Sequence, residues 1–179
     1  MKICDLIIIL GSPASGKTTL AHRLSATLGL PCLHKDDIKE CLFDALGIGD
    51  PSQSRRFSDA SFAVALRIAR TQLEAGLSCI IEGNWRPAHA AAVRAVLGDG
   101  AARPAQVWCR AEPGEMCRRF ASRVRHPGHL DAAVSEREVE AYGRHPPTFL
   151  ELDGPRWIYD SDDPRSHGRL IAGMQSWRL

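Results

Sequence analysis

Short apolar runs alternate along the chain with longer stretches of helical period. Ile3 to Leu10 is almost wholly apolar, the pattern of a central strand buried on both faces. After Gly16, Leu20, Leu24 and Leu28 recur on one helix face, and Gly29 stands where that helix would end. Leu30 to His34 predicts a second short strand, and residues 36–46 and 51–74 predict two helices. In the longer helix Phe57, Ser61, Val64, Ile68 and Gln72 share helical spacing, and Gly76 closes it. Leu77 to Ile81 reads as a third strand and Pro87 to Leu97 as an Ala-rich helix. Ala105 to Cys109 reads as a fourth strand, and Pro113 to Arg123 as a helix with Pro in its first turn. Beyond a polar segment with turn chemistry at Pro127-Gly128, Ser135 to Tyr142 reads as a helix with Glu138 in the capping position. Arg156 to Tyr159 is the fifth predicted strand, and Pro164 to Met174 the last helix. Such alternation predicts an α/β fold, a parallel sheet with helices on both faces.

Composition narrows the picture. With 179 residues, 44% hydrophobic and 25% charged, residues 1–179 are expected to form one globular domain. No run approaches the ~18 apolar residues of a membrane helix. The run Leu6 to Leu10 is too short for a signal peptide and has no cleavage site after it. The expectation is a soluble, cytoplasmic protein without a membrane partner, monomeric by default. A net charge of +2 carries no strong nucleic-acid signal. Only Lys2, Lys17, Lys35 and Lys39 are lysines among 23 basic residues. Arg suits bidentate phosphate recognition, although genome composition explains the bias equally well. Six cysteines without a CxxC pair read as reduced core thiols.

Gly11-Ser12-Pro13-Ala14-Ser15-Gly16-Lys17-Thr18 satisfies G-x-x-x-x-G-K-[ST] at every constrained position, between a predicted strand and a predicted helix. Gly11 and Gly16 allow backbone angles and close approach that a Cβ would block. Loop N–H groups and the helix N-terminus favour an anion. Lys17 is expected to reach the terminal phosphates of ATP, and the Thr18 hydroxyl to hold Mg²⁺, with Thr19 completing the loop's contacts.

Around this loop the chain resembles the small P-loop kinases, which share the adenylate-kinase and gluconate-kinase-like fold. It is most similar to those of the zeta-toxin, chloramphenicol-phosphotransferase and polynucleotide-kinase type, over most of its length. The resemblance implies a five-stranded sheet of order 2-3-1-4-5, with a lid. It also implies a kinase that moves the γ-phosphate of Mg·ATP to a hydroxyl or phosphate acceptor. Lys35-Asp36-Asp37-Ile38-Lys39 matches the motif in which the first Asp accepts the acceptor's proton. That makes Asp36 the candidate base and Lys39 an acceptor contact, while one of the two Asp residues is expected to cap the following helix. Ile80-Ile81-Glu82-Gly83-Asn84-Trp85-Arg86 resembles the strand-end acidic motif, with Glu where Asp is usual. Glu82 would hold Mg²⁺ through water, Arg86 would contact acceptor or phosphoryl group, and Trp85 would wall the pocket. Arg119 and Arg123, at i and i+4 in the predicted helix, match an Arg pair leading into a lid that closes over ATP.

Adenine is expected between Arg119 and the loop from Ser161 to Arg165, and Arg55 and Arg56 are open to an anionic acceptor group. Residues 124–135, centred on Pro127-Gly128, are expected to form a mobile lid. His126 and His129 lack a third ligand at metal spacing. The alternative, a nucleotide-dependent switch without a small-molecule acceptor, finds neither the Asn-Lys-x-Asp guanine motif nor the Leu-Ser-Gly-Gly transporter signature.

Overall fold

A computed structural model of the chain describes residues 3–98, 100, 102–129 and 134–178. Five strands, β1 (Cys4–Gly11), β2 (Cys32–His34), β3 (Cys79–Glu82), β4 (Ala102–Arg110) and β5 (Arg156–Asp160), form one parallel sheet of order β2-β3-β1-β4-β5. All eight residues of β1 are buried. Its side chains alternate between two cores, as the period of two in a strand demands. Leu6, Ile8 and Leu10 join Phe62, Leu66, Trp85 and Val93 on one face, whereas Ile7 and Ile9 join Leu20, Leu24, Leu170 and Met174 on the other. The first face is covered by α3 (Pro51–Glu74) and α4 (Ala90–Leu97), and the second by α1 (Lys17–Leu28) and α7 (Ser166–Arg178). Each fully buried Leu or Ile is worth roughly 1.5–3 kcal/mol. The strand that carries the glycine-rich loop is therefore the most firmly anchored element of the sheet.

Three helices depart from the sequence expectation. The buried face of α3 is Ser54, Ser61, Phe62, Ala65, Leu66, Ala69 and Leu73, while Val64 and Ile68 are exposed. The buried face brings Phe62, Leu66 and Leu73 to the core with Ala65 and Ala69 between them, a longer apolar set than the one Val64 and Ile68 belong to. Neither Asp36 nor Asp37 caps α2 (Lys35–Leu46); His34 is the N-cap, and both carboxylates lie in the first turn. There they meet the positive end of the helix dipole. Pro87 to Leu97 divides into a single 3₁₀ turn, Pro87–His89, followed by α4.

The remaining helices are α5 (Pro113–Ser122) and α6 (Glu136–Arg144). Ser135 caps α6, and its hydroxyl and backbone exchange hydrogen bonds reciprocally with Glu138. Cys4, Cys79 and Cys109 are core thiols as expected, but Cys41 is exposed. No helix among the described residues is long and apolar enough to cross a membrane.

Candidate active site

Between the end of β1 and the start of α1 the backbone bends sharply. Gly11 has φ +146°, and a Cβ there would stand 2.2 Å from the carbonyl oxygen of Cys109. Gly16, the N-cap of α1, has φ +89°, and a Cβ there would meet Ser161 at 3.0 Å. Ala14 at φ +60° is the one non-glycine with positive φ among the described residues. Such a turn gathers backbone N–H groups into a concavity for an anion. Lys17 arches back over it, its Nζ donating to the Ser12 carbonyl at 2.8 Å. Beneath the loop, Cys109 donates to the Ser15 carbonyl at 3.0 Å, and burial pushes this thiol up to about 12, so the donor proton stays in place. Gly11→Ala is expected to cost about 1–3 kcal/mol through strain and to disturb the cradle. Denaturant unfolding with and without ATP measures both effects.

Glu82, at the carboxyl end of β3, is the buried floor of the cleft. The Thr18 hydroxyl donates to its Oε2 at 3.3 Å, and His34 Nδ1 lies 3.1 Å from the same oxygen. Hydrogen bonds to the Cys32 and Glu82 side chains push His34 up to about 10, outweighing burial. A protonated His34 thus balances the buried carboxylate. The hydroxyl and carboxylate oxygens at this point are the hard donors that suit Mg²⁺. The longer Glu side chain reaches Thr18 directly. Among the described residues no group of three or more His, Cys, Asp or Glu side chains forms a metal cluster.

Asp36 lines the same cleft as Lys17, from the first turn of α2. Lys35 Nζ donates to its Oδ1 at 3.1 Å, and Arg125 Nη2 to its Oδ2 at 2.6 Å. Burial alone would raise this carboxyl, but the charges of Lys35, Arg125 and His129 win and hold it well below the usual carboxylate range. Lys35 is itself buried, with Nζ 5.4 Å from the centre of the Phe62 ring. Lys39 is buried too and donates to Ser54 at 2.9 Å.

On the opposite wall, Arg119 spends its guanidinium on three acceptors: Glu115 at 2.7 Å, Ser161 at 2.8 Å and Asp162 at 2.6 Å. It thereby ties α5 to the loop after β5, beside Gly16. Because α5 ends at Ser122, Arg123 has extended backbone and does not share a helix face with Arg119. Its guanidinium lies 4.0 Å from the centre of the Phe120 ring.

These walls enclose a cleft of about 600 Å³. Of the residues singled out from sequence, its lining includes Pro13, Ala14, Gly16, Lys17, Thr18, Thr19, Asp36, Lys39, Glu82, Arg119 and Arg123. Gly11, Ser12 and Ser15 shape the loop without being among the lining residues. Trp85 is not a cleft wall: it is core, packed 4.7 Å from Phe62. Arg86 is exposed at the start of the 3₁₀ turn and is not brought to the cleft, and Arg55 and Arg56 point to solvent. Lys35, Glu40, Ser58, Asn84, Phe120, Arg125 and Tyr142 also line the cleft without being sequence-predicted site residues. Lys35 and Asn84 lie within the motifs noted and Arg125 within the expected lid, but Glu40, Ser58 and Tyr142 stand on helices where no local signal marks them. A larger groove of about 1150 Å³ between α5, α6 and residues 123–127 shares Phe120, Arg123, Arg125 and Val134 with the cleft but not the phosphate loop.

Residues 130–133 of the expected lid lie outside the described residues. The part from Arg125 to His129 ends in a 3₁₀ turn, Pro127–His129, seated against Phe43 of α2.

A glycine-rich phosphate loop after a buried central strand, in a parallel sheet of this order, with a carboxylate and cationic side chains across the cleft, defines a small P-loop kinase-like protein. The AAA_33 family, described as an AAA domain, matches residues 6–145, and the chain belongs to that family. The solved structure of a "putative kinase" from Chloroflexus aurantiacus is 32% identical, with a TM-score of 0.86 over 97% of this chain and 98% of that one. An uncharacterized protein of Mycobacterium tuberculosis is 31% identical over 165 residues, covering 84% of this chain and 32% of the relative. The chain thus spans about a third of the length of the curated relatives it matches. Kti12 of Chaetomium thermophilum, solved with ADP-AlF3, shares the fold, with a TM-score of 0.65 at 14% identity over 97% of this chain and 99% of that one.

Proposed function

We propose that the chain is an ATP-dependent phosphotransferase that moves the γ-phosphate of ATP to a hydroxyl or phosphate of a small molecule or nucleic-acid end. The observation that carries this reading is the placement of Asp36 in the same cleft as Lys17, with Arg119 and Arg123 on the facing wall. The loop from Gly11 to Thr19 would cradle the phosphates, with adenine beside the Arg119–Ser161–Asp162 bridge rather than between Arg119 and the loop after β5, where hydrogen bonds leave no gap. Thr18 and Glu82 would hold Mg²⁺, which neutralises phosphate charge when bound.

Asp36 accepts the proton of the acceptor hydroxyl, and Arg123 and Lys17 stabilise the charge that spreads over the phosphoryl oxygens. Lys35 and Lys39 then stand on the acceptor side. The putting together of base, cations and phosphate loop argues for chemistry rather than for a switch alone. A screen of hydroxyl compounds for acceptor-dependent ADP release tests the reading. At least one class is expected to stimulate release well above the rate with water. Tight ATP binding with no stimulation by any sugar, antibiotic, nucleoside or 5′-hydroxyl end would count against it.

A further inference from the structure

One face of α2 carries Asp36, Glu40 and Asp44 at successive i, i+4 positions. Each meets a partner from residues 125–129. Arg125 Nη2 donates to Asp36 at 2.6 Å, His129 Nε2 lies 2.7 Å from Glu40 Oε1, and His126 Nε2 lies 3.1 Å from Asp44 Oδ1. Apolar contact fixes the register between these pairs. A Cβ on Gly128 would stand 2.4 Å from the Phe43 ring, and the His126 ring stacks on the same ring at 5.5 Å. The Gly128 carbonyl accepts from Ser54 at 3.2 Å.

We propose that Arg125 is a positioning residue for Asp36, delivered by the docking of residues 125–129 along this stripe, so that seating the segment and setting the base are one event. The inference rests on the reading of Asp36 as the base. Asp36 has a side chain 45% exposed, and alone it would sample several rotamers. Lys35 on one oxygen and Arg125 on the other restrict it, and each oxygen keeps a second lone pair for the acceptor hydroxyl. Lys35 belongs to α2 and is always nearby, whereas Arg125 is present only when its segment is seated. A single ion pair is weak, so the Arg125–Asp36 pair together with the two histidine–carboxylate hydrogen bonds and the Phe43 contact is what specifies the seat. The groups facing Asp36 are Lys35, Asp37, Lys39 and Glu40 from α2, and Arg125 and His129 from the docked segment. Lys17, Glu82, Arg119 and Arg123 face it from the other walls of the cleft.

The test follows the carboxyl-carbon NMR signal of Asp36, assigned with Asp36→Asn, through a pH titration. In Arg125→Gln the midpoint is expected to rise by about one pH unit or more, because an adjacent opposite charge is lost. The double variant Glu40→Gln/Asp44→Asn leaves both Asp36 and Arg125 in place. Removing two nearby negative charges would by itself lower the Asp36 midpoint, so a rise reports departure of Arg125. Gly128→Ala, which drives a methyl group into Phe43 and changes no charge, is expected to raise it as well. An unmoved midpoint in Arg125→Gln overturns the pairing. A rise in Arg125→Gln with none in the double variant or in Gly128→Ala overturns delivery by the stripe. Full turnover of Asp36→Asn would sink the base reading instead, and the titration would still report the coupling.

Discussion

Asp36→Asn is expected to lower acceptor phosphorylation by roughly a hundredfold or more, the usual scale for a general base, while Mg·ATP affinity stays within a few-fold. Asn keeps the volume and one of the two oxygens that Lys35 and Arg125 contact, but it offers the acceptor proton no basic site. Because Asp36 belongs to α2 and not to the glycine-rich loop proposed to cradle phosphate, the variant separates chemistry from nucleotide binding. Asp37→Asn, at an exposed neighbour in the same helical turn, is the control and is expected to do much less. Single-turnover phosphorylation and calorimetric ATP binding, run side by side, decide the matter. Equal loss from both variants would point to a general effect on the start of α2, and loss from Asp37→Asn alone would move the base by one residue.

Lys17→Ala is expected to abolish the thermal stabilisation given by Mg·ATP. A ligand stabilises by mass action: at a hundred times its Kd the gain is about 2.7 kcal/mol, and it vanishes when affinity falls below the working concentration. The Lys17 ammonium lies over the loop, held only by the Ser12 carbonyl among the contacts described above, and phosphate oxygens are its natural replacement partner. Truncation removes that charge without touching the core, since α1 is anchored by Leu20, Ala21 and Leu24. The ligand-free melting temperature is therefore expected to stay close to wild type. Calorimetric melting with and without Mg·ATP reads both quantities. An undiminished shift in Lys17→Ala would remove the loop from nucleotide binding.

Much of this fold is legible along the chain because its signals are local. A strand buried on both faces needs an unbroken apolar run, and β1 has one. The loop after it needs glycine where φ is positive and a neighbouring carbonyl leaves no room for a Cβ, and Gly11 and Gly16 stand there. Helix ends are legible almost to the residue where Pro, Gly or a Ser–Glu pair marks them, as at Pro51, Gly29 and Ser135. What failed was the choice among competing local patterns. In α3 the spacing of Val64 and Ile68 suggests one face, but the buried face is the neighbouring one, on which Phe62, Ala65, Leu66, Ala69 and Leu73 form a longer apolar set at i, i+3 and i+4 spacing. Arg123 was paired with Arg119 by helical spacing, but α5 stops one residue before it.

The residues of the cleft divide in the same way. Lys17, Thr18, Asp36 and Glu82 follow directly from short motifs that stand at a strand end or a helix start. Arg125 did not, because its partner is 89 residues away in sequence and nothing near it in the chain encodes that distance. Nor did the burial of Trp85, the exposure of Arg86, or the seating of Gly128 on Phe43. Local backbone preference and periodicity act over a few residues and are written in the sequence itself. Which distant side chains share a cleft depends on how the sheet is ordered and how far each helix extends, and only the packed tertiary structure decides that.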